Sequence, residues 1–205
     1  MWGGEAGFMN FTELAFNNRT FRRFDPSVPI GMETLEDLLE TARYTASAMN
    51  KQPLRHVLVT EPGKCAEVFA GLAWAGYLKD WPGPEEGQRP TGYVVICHEG
   101  EPGPWSKVDL GIVAQTIMLG AVEKGFGGCM LGALKKDVIG KALNLPEELE
   151  IMLVLALGRP AETVVVEDLE PGEDFKYWRE DDDTHHVPKR TKDELIVAKY
   201  PAADE

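Results

Sequence analysis

Between Asp109 and Glu123 the sequence carries a helical pattern that is apolar almost all the way round, with Leu110, Val113, Ala114, Ile117, Met118 and Ala121 on overlapping faces. A surface helix shows one apolar stripe, so a helix without a polar face is covered on more than one side. Residues 109–123 are therefore either the central helix of a domain or a helix with one face against a partner subunit. Gly125, Gly127 and Gly128 end it.

Around it, helices and strands alternate. Thr12 is placed to cap a short helix at 13–16, and Leu35, Leu38, Leu39 and Ala42 mark an amphipathic helix over about 32–47. Pro53 breaks that pattern. Residues 57–60 read as a short buried strand, 65–72 as a helix, 80–92 as a loop or flap, and 93–97 as a second strand. Cys129-Met130-Leu131 reads as a strand and 138–143 as a helix. The run Ile151-Met152-Leu153-Val154-Leu155-Ala156-Leu157 is the strongest strand signal, stopped by Gly158 and Pro160. Continuous apolar strands fit a sheet covered on both faces, and the alternation argues for α/β or α+β architecture. Residues 161–191 turn polar and read as an extended tail, with Thr191 capping a last turn.

The formal charge of −13 repels nucleic acid phosphates and anionic lipids, which argues against both as partners. Cys65, Cys97 and Cys129 are widely spaced and form no CxxC pair. They read as small core residues in a reducing compartment rather than as a disulfide framework or a zinc site. No basic n-region with an apolar h-region opens the chain, and no apolar run is long enough to span a bilayer, so a cytoplasmic setting is expected. With 205 residues, a single domain is expected over 1–205.

Against this acidic background, two basic islands stand out. Arg19, Thr20, Arg22 and Arg23 combine guanidinium forks with a hydroxyl, which suits phosphate oxygens. Lys189 and Arg190 follow Pro188 in the acidic tail. Each island also reads as ordinary surface charge, but two far apart in sequence can converge on one phosphate. A third stretch runs from Ser47 to Pro53. Its Asn50 and Gln52 amides can match a planar heterocycle, or Asn50 can simply end a helix in a left-handed conformation. A fourth, Gly125 to Ala133, fails the dinucleotide fingerprint, because Met130 stands where the third glycine belongs and the order is helix, glycines, strand. Gly132 and Ala133 still allow backbone N–H groups to approach a flat ligand. His185-His186 beside Asp181–Asp183 is a poor metal pair, because adjacent side chains of extended chain face opposite ways.

In this order and at these distances, the stretches resemble the nitroreductase family of FMN enzymes over roughly residues 11–197. The family's Arg-Arg-Ser-x-Arg-x-Phe opening is matched by Arg19, Thr20, Arg22 and Phe24, with Asn18 in place of the first arginine. Ser47, Asn50, Gln52 and Pro53 match its Ser-x-x-Asn-x-Gln-Pro segment, with Leu54 where tryptophan is usual. The helix from Asp109 through Gln115 and the glycine turn after it resemble the family's central helix. Leu157-Gly158-Arg159-Pro160-Ala161 resembles its closing strand, and Pro188-Lys189-Arg190 its C-terminal phosphate clamp. Each motif is loose alone; the five in order carry the resemblance.

The resemblance implies an α+β fold (α/β by some schemes) with a mostly antiparallel central sheet flanked by helices and an extended C-terminal arm, 161–205, crossing a homodimer. It implies FMN as cofactor. Arg19, Thr20, Lys189 and Arg190 would hold the phosphate. Arg22 would face the reduced ring, and Asn50 would meet the pyrimidine edge. The backbone at Gly132 and Ala133 would donate toward N5, and Ser47, Gln52 and Leu131 would also bind the cofactor. The implied activity is reduction of a small electron-poor acceptor, such as a nitroaromatic or quinone, by NAD(P)H in ping-pong turnover. No side chain is expected to act as acid or base, since the flavin does the redox work. A different redox reaction on the same fold, or flavin binding without turnover, are the alternatives. The segment 73–92, with Trp74, Tyr77 and Trp81, is the expected seat of acceptor selectivity.

Overall fold

The computed structural model describes residues 9–202. A five-stranded antiparallel sheet forms its centre. Strand β5 (Leu149–Pro160) lies in the middle, with β3 (Gly92–Glu99) and then β2 (Leu54–Val59) on one side. On the other side lie β4 (Gly127–Leu131) and, beyond its start, the short β1 (Phe24–Asp25). Every pairing in this sheet is antiparallel, as the family resemblance implied.

Alternation along the strands divides the core in two. Val94 and Ile96 of β3 face a cluster with Leu35, Leu38, Ala114 and Ile117, from α2 (Met32–Ala42) and α4 (Ser106–Glu123). Tyr93, Val95 and Cys97 face the other way, onto Val68 of α3 (Pro62–Ala70) and Ile139 of α5 (Lys136–Leu143). Full burial of each such side chain stabilises by about 1.5–3 kcal/mol. Both faces of β3 are covered, which explains its unbroken apolar run. The three cysteines are buried and unpaired, and burial pushes each thiol up to about 11.

Helix α4 is buried along Val113, Ala114, Ile117 and Met118, but Val108, Gly111, Ile112 and Gln115 stay exposed. One side packs on the sheet, and the other presents apolar surface outward. Among the described residues, no helix is long and apolar enough to cross a membrane.

Several boundaries differ from the sequence expectation for local reasons. Helix α1 spans Phe11–Asn17, and Asn10 rather than Thr12 caps it, in a reciprocal box with Glu13. Helix α2 stops at Ala42 because the Thr45 hydroxyl takes the Ala42 carbonyl at 2.7 Å, where a further turn would need it. Helix α3 starts earlier, with Glu61 as its cap and Pro62 in its first turn.

The largest correction concerns the tail, which is not merely extended. Strands β6 (Val164–Leu169), β7 (Trp178–Arg179) and β8 (His185–Arg190) form a second sheet in the order β6-β8-β7, and its β6–β8 pair is parallel. Backbone pairing orders this segment with little core of its own: Leu169 and His185 are its buried residues. Thr191 does cap the short helix α6 (Lys192–Leu195).

Candidate functional site

The segment after α1 is fixed to the start of β4. Thr20 bridges to Gly128, and Phe21 N–H donates to the Gly128 carbonyl at 2.9 Å. Glycine at 128 is a packing necessity, since a Cβ there would lie 2.4 Å from the Ala156 carbonyl oxygen. Arg19 turns back to donate to the Ala15 carbonyl at 2.6 Å, and its partial burial lowers its pKa.

Arg22 points inward and is 8% exposed. Its Nη1 lies 3.2 Å from His185 Nε2, and the Tyr177 ring stands 4.9 Å from its guanidinium carbon. Its Nε has no hydrogen-bond partner. The backbone beneath is held by Glu162, which accepts from the N–H groups of Arg22 and Arg23 and pairs with Arg179 at 2.7 Å. Tyr177 in turn contacts the Tyr77 ring, with centroids 5.0 Å apart, so the small sheet ties the 73–92 segment to Arg22.

The 47–52 loop is strained. Met49, Asn50 and Gln52 all have left-handed backbones, with φ of 53°, 55° and 48°. Asparagine tolerates this conformation, but methionine and glutamine rarely adopt it, and such clusters occur where a loop is shaped for a ligand. Its anchors are Ala48 N–H to Asp109 Oδ1 at 3.0 Å and Gln52 N–H to Ser47 Oγ at 3.0 Å. Asn50 is left-handed, as its helix-ending alternative required, but with the amides of Asn50 and Gln52 exposed. A cavity of about 440 Å³ opens beside the loop, lined by Ser47, Gln52, Leu39, Asp109 and Val113.

After β4, Leu131 is buried while Gly132 and Ala133 are exposed. No atom lies within 4 Å of where a Gly132 Cβ would stand, so the space beside it is open. Lys189 and Arg190 are exposed at the far end of β8, where Arg190 pairs with Glu194. Five residues of strand, about 16 Å, separate Arg190 from His185. His185 and His186 face opposite sides: His186 stacks on Trp178 with rings 4.9 Å apart and meets Glu167 at 2.7 Å.

Strand registers locate these groups relative to one another. The 47–52 loop leads into Leu54, which pairs with His98; Gly128 pairs with Leu157, which pairs with Gly92. The loop and the Arg19–Arg22 segment thus occupy diagonal corners of the sheet. Four strand spacings and six residues separate them, roughly 28 Å. One chain brings Arg22 together with His185 and Tyr177. It does not bring Asn50 or Gln52 to Arg22.

Glu162, and the places of Tyr177 and His185 beside Arg22, escaped the sequence reading. His185 was visible only as half of an unpromising histidine pair, and nothing in the sequence links Glu162 to Arg22.

A five-stranded antiparallel sheet with helices on both faces, bearing a buried arginine and a strained amide loop, defines an α+β protein. The nitroreductase family model matches residues 16–159, and the chain belongs to that family. It is 24% identical to YdgI of Bacillus subtilis (strain 168), over 75% of this chain and 90% of that one. It is 26% identical to the iodotyrosine deiodinase of Thermotoga neapolitana, over 72% of this chain and 87% of that one. The FMN-dependent nitroreductase of Clostridium difficile R20291 superposes with a TM-score of 0.58 at 19% identity, covering 73% of this chain and 87% of that one. The chain is accordingly an oxidoreductase of a family whose cofactor is FMN. Its residues fit that group. Arg22 has a buried donor without an acceptor, Gly132 borders open space, and the amides of Asn50 and Gln52 are exposed on a strained loop.

Proposed function

We propose that the protein is a homodimeric, FMN-dependent reductase that takes hydride from NAD(P)H and delivers it to a small electron-poor acceptor in ping-pong turnover. The observation that carries this reading is the diagonal placement of the two half-sites, Arg19–Arg22 and Ser47–Gln52. A second copy can supply the half that one chain leaves too far away. The exposed apolar side of α4, with Val108 and Ile112, supports such an interface.

FMN would supply the hydride chemistry. Arg22 would place a fixed positive charge at the ring's N1 and O2 edge, where charge builds on reduction. The N–H groups near Gly132 and Ala133 would donate toward N5, and Asn50 and Gln52 of the partner subunit would meet the pyrimidine side. Arg19, Thr20, Lys189 and Arg190 would hold the phosphate by charge-assisted bonds of about 1.5–3 kcal/mol each. The name of YdgI proposes an NAD(P)H nitroreductase, which supports that donor and an acceptor of that class. The buried, unpaired thiols support a cytoplasmic setting.

Subunit complementation tests the shared site. Arg22→Ala and Asn50→Ala homodimers should each bind FMN weakly. A heterodimer of the two has one intact site and one doubly broken site, so it should recover half the flavin of the wild type. No recovery in the mixed dimer would place both residues in the same chain's site, and normal binding in both homodimers would place neither in any. Oxidation of NADH or NADPH with an added quinone separates a reductase from a flavin carrier.

A further inference from the structure

The Arg22 guanidinium is a cation taken out of water without a carboxylate hydrogen-bonded to it among the described residues. Its contact at Nη1 is His185 Nε2, at 3.2 Å. A guanidinium only donates, so His185 Nε2 must offer a lone pair. The imidazole is then neutral and carries its proton on Nδ1. His185 is 1% exposed, and its Nδ1 has no partner. Arg22 Nε is in the same condition. Two adjoining buried residues thus each present an unused N–H donor. An unsatisfied buried donor is costly, so the Arg22–His185 contact is held by its surroundings rather than by a full set of hydrogen bonds.

The surroundings keep this arrangement in place. The Tyr177 ring lies against both partners, 4.9 Å from the Arg22 guanidinium carbon and 5.1 Å between centroids from His185. His185 N–H donates to the Thr163 carbonyl at 2.9 Å, which fixes the start of β8 against the approach to β6. Burial, then the charges of Arg22, Arg179 and His186, hold the imidazole neutral, with its pKa pushed down to about 4.

We propose that His185 is a positioning residue for Arg22. By accepting from Arg22 Nη1 under the Tyr177 ring, it fixes the direction in which the guanidinium faces the acceptor edge of the bound ring. This rests on the flavin reading above, and it extends that reading to the small C-terminal sheet. The role is electrostatic and geometric. No proton needs to leave His185 during turnover.

The test begins with the full-length wild-type protein. Imidazole nitrogen NMR at pH 7 should show His185 with a bare Nε2 and a protonated Nδ1. An Nε2–H tautomer, or an imidazolium, would overturn the proposal without any variant. Next, His185→Leu should weaken FMN binding about tenfold and lower the bound flavin's midpoint potential, because Arg22 no longer faces the charge that forms on reduction. His185→Gln, whose amide can accept at the position of Nε2, should recover most of both. Should His185→Leu fail to fold, Tyr177→Leu removes the same support from the other side and should move the potential in the same direction. Wild-type affinity and potential in His185→Leu or Tyr177→Leu would sink the positioning role while leaving the flavin reading intact. Absence of FMN binding by the wild type would sink that reading, and the flavin-facing role of His185 with it.

Discussion

Glu162 and Arg179 meet at 2.7 Å with their side chains 1% and 9% exposed. The same carboxylate accepts from the backbone N–H groups of Arg22 and Arg23. One buried anion thus locks the small C-terminal sheet onto the segment that carries the site's arginines. A buried pair is costly to break from one side, because the remaining charge is stranded. Glu162→Ala should therefore destabilise the fold by about 3–5 kcal/mol in urea titration, and Glu162→Gln by less. A loss under about 1 kcal/mol, within the range of an exposed ion pair, would mean that the clasp is not formed in solution.

Acid should weaken the fold earlier than its carboxylates require. Burial, and then neighbouring charges, depress His185 and His56 to about 4, below the ordinary 6.5. Between those values the unfolded chain takes up protons that the folded chain refuses, so stability falls as pH drops from about 6.5 to about 4. Each pKa unit corresponds to about 1.4 kcal/mol. His185 alone should then cost about 2 kcal/mol between pH 7 and pH 5. Thermal unfolding of wild type and His185→Gln across this range checks it: the variant should show the shallower decline, and equal slopes would contradict it.

Two glycines of one stretch should answer differently to the same change. At Gly128 a Cβ would meet the Ala156 carbonyl oxygen at 2.4 Å and Leu157 Cδ2 at 2.7 Å, so Gly128→Ala forces backbone apart and should cost about 1–3 kcal/mol. At Gly132 a Cβ meets nothing within 4 Å. Gly132→Ala should leave stability within about 0.5 kcal/mol while weakening FMN binding, if the ring lies there. Calorimetry and flavin titration on the pair separate the packing glycine from the ligand glycine.

The sequence read best where one local signal decided the outcome. The runs at 93–97 and 151–157 became the two central strands because their apolar character holds on both sides of the chain. Thr191 capped α6 because its hydroxyl is followed by the right spacing. The Arg19–Phe24 and Ser47–Pro53 stretches were legible as chemistry, but their separation was not, since it follows from strand order and register. The small sheet was missed because its order comes from the Glu162 clasp and the His185 contact, more than 130 residues away in the chain from Arg22. Tyr177 lies against the Arg22 guanidinium and Trp178 stacks on His186, both within their own chain. Phe175 stays 60% exposed.

Cutting the chain after Ala161 should separate folding from flavin binding. The central sheet ends at Pro160, and both of its core clusters are built almost wholly from residues before that point. Among the described residues, the removed segment contributes Leu169 and His185 to the interior. The truncated chain should keep its antiparallel sheet, with a loss of about 3–5 kcal/mol from the missing Glu162. Arg22 would meanwhile lose His185 and Tyr177 together, and Lys189 and Arg190 would be gone. A water-exposed guanidinium attracts a ligand far less than a desolvated one, since the local dielectric rises. FMN affinity should thus fall by well over tenfold while the sheet signal in circular dichroism persists. Full affinity in the truncated protein would show that the C-terminal sheet has no part in the site.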